Sequence, residues 1–268
     1  MNLRLPPILI ALIVLTVSGS QLGAHEFWLE PDEFSPKLDA RTGVRIRIGE
    51  HFDGALYPYL TGTFFKFTAG QGESEQAVEG LDGDDDPAIG VAFRKETLAI
   101  VAHHSQSNHV TLEPWTKFTE YLAEIGQEDI AKRHRALGKP TEKVEERYYR
   151  AAKLLLDVGG AGNGGDRFTG MPLELVADRN PYALEPGERL PVLLLRDGTP
   201  IAGVLVTAFA KSAPKMVQRV RTDKDGRVLI ELNASGPWLI NAVHMTEPPA
   251  FARVDWVSIW ASLVFSAK

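Results

Sequence analysis

Short runs of alternating apolar and polar residues dominate the sequence beyond its first two dozen positions. Val44, Ile46 and Ile48 alternate with Arg45 and Arg47, the period-two signature of a half-buried strand. Stretches 26–29, 62–68, 88–94, 98–103 and 109–113 are further candidate strands, divided by clusters of Gly, Asp and Pro. From Glu113 the period changes. Trp115, Phe118, Leu122 and Ile125 recur at helical spacing, with Pro114 suited to a first turn and Gly126 to a stop. A second, polar helix is predicted over 127–137, ending at Gly138. A third is predicted over 142–158, with Val144, Tyr148, Ala151, Ala152 and Leu155 along one side.

The glycine run 159–165 ends that pattern. No strand precedes it and no Lys-Ser/Thr follows, so it reads as a flexible loop and not as a phosphate cradle. The acidic run Asp82–Asp86 lacks the glycine and glutamate that a calcium loop needs and reads as a solvated loop. From Pro172 onward short strands recur about every ten residues, over 173–177, 190–195, 203–211, 216–222, 227–232 and 238–245, with Asp-Gly turn chemistry between several of them. The last, 255–265, puts Val257, Ile259, Ala261, Leu263 and Phe265 on one face and Trp256, Ser258, Trp260 and Ser262 on the other. The expected fold is mainly β. Two β-sandwich-like units are predicted: residues 25–171 with a helical insertion at about 114–158, and residues 172–268 with an Ig-like, Greek-key arrangement.

The first 24 residues do not share this patterning. Arg4, an apolar stretch from Ile8 to Val17 and small residues up to Ala24 read as an export signal, cut after Ala24 or, alternatively, after Ser20. The apolar stretch is far short of the roughly 20 residues that span a bilayer. Cleavage after Ala24 would leave 244 of the 268 residues and make His25 the first, in the periplasm. Composition narrows the chemistry. With no cysteine there is no disulfide, thiolate metal site or iron–sulfur cluster, so any metal is held by nitrogen and oxygen. The formal charge is −6, and −7 once Arg4 is lost, which argues against a nucleic-acid partner.

Seven histidines are the candidate ligands. A processed His25 would offer a free amine and an imidazole from one residue, enough to chelate a divalent cation; the plain alternative is a ring in solvent at the start of a strand. His244 ends an apolar strand, where a hydrogen-bonded core role and a ligand role are both open. His103 and His104 are neighbours in extended chain and point to opposite faces. His103 and His109 would share a face if residues 101–109 form a regular hairpin. His51 is expected in solvent, and His134 on the surface of a charged helix. The candidate metal set is His25 with His103 from the cluster at 103–109, and His244 on the strength of the family resemblance that follows.

Several strings together resemble an exported bacterial family of uncharacterised function, described as the periplasmic component of nickel/cobalt-type uptake systems. They are Ala24–Pro31, Glu146–Lys153, Leu173–Val176 with Asn180–Tyr182, Thr222-Asp223 with Gly226, Trp238–Ile240 leading to Val243–Met245, and Trp260–Phe265. The resemblance implies a metal-binding role without catalysis, with nickel or cobalt as the ion (copper or zinc being compatible with the donors) and a membrane metal permease as partner. It maps the family's first-strand histidine to His25 and its late-strand histidine to His244. Two other classes compete: a copper-dependent oxidative enzyme using an amino-terminal histidine brace, with Trp28, Tyr57 and Tyr59 as nearby aromatics, and a β-sandwich module that binds something other than a metal.

Overall fold

Strands occupy just under half of the chain that the structure, a computed structural model, describes, which is residues 26–268. In order they form β1 (Glu26–Pro31), β2 (Thr42–Glu50), β3 (Asp53–Tyr57), β4 (Phe64–Gln71), β5 (Gln76–Ala77), β6 (Ile89–Val91), β7 (Leu98–Ser105) and β8 (Asn108–Leu112). Helices α1 (Trp115–Glu124) and α2 (Asp129–Ala136) follow, then β9 (Val144–Asp157), β10 (Leu173–Ala177), β11 (Arg189–Arg196), β12 (Thr199–Pro200) and β13 (Leu205–Ala210). The remaining strands are β14 (Gln218–Arg221), β15 (Arg227–Glu231), β16 (Gly236–Thr246) and β17 (Trp256–Ala267). The protein is mainly β, a sandwich of sheets.

A nine-stranded sheet, in the order β14-β13-β16-β17-β9-β7-β4-β5 with β8 beside β9, forms the middle layer. It takes strands from both sides of residue 171, and its centre is the parallel pair β9–β17. A four-stranded sheet of β1, β2, β3 and β6 covers one face through Trp28, Leu29, Val44 and Ile46, packed on Val101, Leu154, Leu156 and Val264. The two helices cover the rest of that face, with Phe118 and Leu122 against Val243, Met245 and Trp256. A third sheet, β10-β11-β12 with β15, covers the opposite face through Leu175, Val192 and Ile230, packed on Ile240, Ala261 and Leu263. The two faces of β17 divide as its alternation predicts. Both are buried.

Residues 142–158 do not form the third helix that the sequence predicts. They supply β9, and Ala151–Asp157 are all buried, because sheets cover both faces of this strand. A strand buried on both faces loses its polar–apolar alternation, and the spacing of Val144, Tyr148, Ala151 and Leu155 then mimics a helical stripe. The other two helices fall where expected, although α2 buries His134. That ring is fully enclosed, accepts the Trp256 indole N–H at Nδ1 (3.0 Å) and reaches Pro140 O from Nε2 (2.8 Å). The acceptor role of Nδ1 fixes a neutral Nε2–H tautomer. The charged neighbours that suggested a surface position face outward from the same short helix.

The glycine run is also held more firmly than its composition suggests. Gly162 N–H donates to the Asp157 carboxylate, and the Asn180 side-chain amide donates to Gly162 O and Asn163 O.

Candidate metal centre

The start of β1 lies beside the turn between β2 and β3, because Glu26 pairs with Gly49 in the antiparallel register of β1 and β2. His51 and Phe52 form the two turn residues, with φ of 55° and 64°. Positive φ at both central residues marks the mirror-image turns that join tight hairpins, and it is uncommon for a bulky side chain. Local contacts hold the strained turn. The Glu26 carboxylate accepts the His51 backbone N–H at 2.7 Å. The Phe52 ring meets Trp28 and Phe209 edge-on at 5.8 and 5.7 Å, and the His51 ring lies 5.6 Å from Phe209. Gly49 and Gly54 let the two strands close on one another, since a Cβ on Gly49 would sit 2.0 Å from Asp53 O.

The end of α1 stands across from this turn. The helix stops at Gly126 (φ 70°), where Gln127 N–H reaches back to Leu122 O at 2.8 Å, the hydrogen bond of a Schellman stop. The Gln127 side chain then bonds the edge of β16 twice, donating to Val243 O and accepting from Met245 N–H. Arg219 donates to Glu124 O at 2.8 Å and so caps the helix end with a cation. Glu124 is thereby brought to the same opening as Glu26 and His51. A cavity of about 150 Å³ lies between them, with Asn241, Trp260 and Ser262 of the central sheet in its floor.

Two carboxylates, Glu26 and Glu124, and the Arg219 guanidinium line this opening. Burial, helped by the nearby Glu50 and Glu124 carboxylates, pushes Glu26 up to about 7 against the opposing hydrogen bonds from the His51 and Phe52 amides. Glu26 is therefore half protonated near neutrality, and a cation arriving there would displace a proton. The raised value also has a stability consequence. Its favourable contribution is complete below 4.5, the ordinary value, and is lost as pH rises through about 7. Glu26→Gln is accordingly expected to be more stable than the parent at pH 8, by about 2 kcal/mol after allowing for partial exposure, and equal to it near pH 4. Thermal unfolding at the two pH values checks this, and equal midpoints at pH 8 would contradict it.

The histidines singled out in the sequence are dispersed. His25 lies outside the described residues. His103 is enclosed by Phe27, Phe64 and Phe67 with ring separations of 5.2, 5.6 and 4.9 Å, and burial pulls it down to about 3. His244 lies on the opposite face of the central sheet, in the field of Arg196 from the third sheet, and burial lowers it as well. The structure does not bring these two rings together.

Nor do residues 101–109 fold into a hairpin. β7 and β8 run in the same direction along β9, and between them the register shifts by one residue: His103 pairs with Ala152, but His109 pairs with Arg147. A one-residue shift reverses the faces, so His103 and His109 point to opposite sides. Among the described residues no group of three or more His, Asp or Glu side chains is arranged to hold a metal. His51 is exposed, as the sequence predicts, and nothing in the sequence singles out Glu124. The only sequence signal for His51 is its place directly after the strand that pairs with β1, legible once that register is known.

The chain belongs to the family DUF4198, a domain of unknown function, whose model matches residues 22–246. No curated protein matches it. Among solved structures, the D0-D1 domain of Intimin aligns over 90% of this chain and 97% of its own length, at 10% identity and a TM-score of 0.20. A superposition that loose carries no argument about function.

Proposed function

We propose that this is an exported, non-catalytic protein that binds a divalent transition-metal ion, of the nickel or cobalt kind, at the start of its processed chain and passes it to a membrane permease. The observation that carries this reading is that His51 and Glu26 stand beside one another where β1 begins, a partial donor set that the described residues do not complete by themselves. The residue before Glu26 is His25. Signal removal after Ala24 would give it a free amine beside its imidazole, and the His51 ring with one carboxylate would complete a nitrogen–oxygen set suited to nickel, cobalt, copper or zinc. His244 and His103 have no part in this set, the first lying across the sheet and the second inside an aromatic enclosure. Exposed donors such as His51 and Glu124 suit a site that must load and unload.

Calorimetric titration of the chain beginning at His25 with nickel, cobalt, copper and zinc tests the reading. A single site of micromolar or better affinity is expected at pH 7.5, weakening below about pH 6 as the imidazoles protonate. One glycine added ahead of His25, or His51→Ala, should weaken it at least tenfold. No binding tighter than about millimolar for any of the four ions would end the proposal.

A further inference from the structure

A groove of about 860 Å³ opens where two strand edges are left without neighbours. One wall is β5, which pairs only with β4, and the other is β6, which pairs only with β2. Among the described residues no other hydrogen bond reaches the backbone of either strand. The lining is cationic. Arg41, Arg94 and Lys95 stand in it against one acid, Glu79, and all three cations are exposed. None of the three side chains has an ion pair or hydrogen bond among the described residues. They are nevertheless held in place. The buried Gln71 side chain donates to Lys95 O at 2.6 Å and accepts the Arg94 and Lys95 backbone N–H groups at 3.2 and 3.1 Å. Arg41 lies across β6, since a Cβ on Gly90 would sit 2.2 Å from its Nε.

Beside the groove, and sharing Arg41, Glu79 and Gly90 with it, is a hollow of about 350 Å³ bordered by Leu81 and Asp84. Asp84 belongs to the acidic run 82–86, and Leu81, 73% exposed, directly precedes that run. This loop is also fixed by its own bonds. Asp82 accepts from the Thr61 N–H and hydroxyl, Asp86 pairs with Arg45, and Tyr59 N–H donates to Asp84 O. The Asp84 and Asp85 carboxylates are left over, with no partner among the described residues.

Like charges on a free strand edge keep copies of a protein apart. Here opposite charges stand side by side on two fixed segments, and they form no ion pair within the chain. Such a face is complementary to itself. Turned about a two-fold axis, the acidic loop of one copy meets the cationic groove of the other, and the reverse contact forms with it. Together the two hollows are lined by about twenty residues, the size of one side of an ordinary protein–protein interface.

We propose that the groove and the acidic loop form the interface of a two-fold homodimer, in which Asp84 and Asp85 of one copy meet Arg41, Arg94 and Lys95 of the other. Leu81 would leave water at its centre. The interface lies at the end of β2 where Thr42 pairs with Val91, whereas the candidate metal opening lies at the end where Gly49 pairs with Glu26. The dimer therefore does not depend on the metal reading.

Sedimentation velocity of the metal-free chain beginning at His25, at about 1 and 100 µM, tests it. A dimer of micromolar Kd is expected, weakened about tenfold by roughly 0.5 M sodium chloride, which screens exposed charges. Arg94→Glu with Lys95→Glu, and separately Asp84→Lys with Asp85→Lys, should each stay monomeric with unchanged circular dichroism. An equimolar mixture of these two double variants should dimerise again, because each offers the charge that the other now needs. Leu81→Asp should weaken the parent dimer about tenfold. If the aspartate variant fails to fold, Asp84→Asn with Asp85→Asn replaces it, and an unweakened dimer then overturns the proposal. A parent that is monomeric at about 100 µM overturns it too, whether or not the groove then takes up an acidic peptide. So does a dimer that either charge-reversed variant keeps, or a mixture of folded variants that stays monomeric.

Discussion

Replacing Lys153 by methionine is expected to lower the unfolding free energy by about 3–5 kcal/mol, the usual penalty for removing one partner of a buried ion pair. The Lys153 ammonium is fully enclosed, 3.1 Å from Asp166 and 2.5 Å from Glu174, and also donates to Arg167 O. The two carboxylates have further partners. Glu174 accepts from the Thr169 and Met171 backbone N–H groups and from the Thr169 hydroxyl, and Asp166 accepts from the Ala177 and Arg167 N–H groups. This cluster fastens the segment after the glycine run, and the first strand of the third sheet, to β9. Without the lysine, two buried acids face one another uncompensated. The thermal midpoint should fall by roughly 10 °C, and the loss should shrink in acid, since burial already pushes Asp166 up and it protonates readily there. A midpoint within about 2 °C of the parent at pH 8 would show that the cluster is not a structural fastening. Adding Asp166→Asn and Glu174→Gln to Lys153→Met should recover much of the stability, because the buried charge is then gone.

Trp256→Ala is expected to cost about 3–5 kcal/mol, with a local signature. The indole is 1% exposed, lies in the cluster formed with Phe118 and Leu122, and donates to His134. The Lys139 ammonium covers its other side at 4.6 Å. Truncation opens a cavity under the helices and strands the His134 acceptor. Hydrogen exchange should therefore accelerate over residues 115–137 more than in the third sheet. Uniform acceleration would mean that the helices are not separately anchored by this tryptophan. Since α1 carries Glu124 to the opening, loosened helices should also weaken the metal binding proposed above, whereas Lys153→Met should not once both proteins are folded.

Much of the architecture is legible in the residues themselves. Alternation in β2 and β17 and the turn chemistry between strands of the C-terminal part report real strands, and the stop at Gly126 is a real helix end. What is lost is lost where neighbours decide. β9 carries buried residues on both faces, so its period disappears, and nothing in the sequence marks Lys153 as buried until Asp166 and Glu174 are seen to meet it. His134 looks exposed because its neighbours along the chain are charged; the helix turns that one side inward. The candidate site is harder still. Its parts come from β1, the β2–β3 turn, the end of α1 and the central sheet, and no single stretch announces them. The His51-Phe52 turn adopts a backbone usually marked by Asn-Gly, so its sequence gives no warning. Arg150 stands in a string that looks like a surface ion pair with Glu146 at helical spacing. In the strand the two lie on one face four residues apart, and Glu146 is engaged by Tyr121 and Ser258 instead.

The parallel pairing of β9 with β17 has a temporal implication. Trp256 meets Glu146 and Val264 meets Leu154, so the centre of the molecule cannot close until nearly the last residue has emerged. Contacts between stretches so distant along the chain are slow to form. A polypeptide threaded vectorially, whether from a ribosome or through a translocation pore, would thus travel open and acquire its keystone only on release.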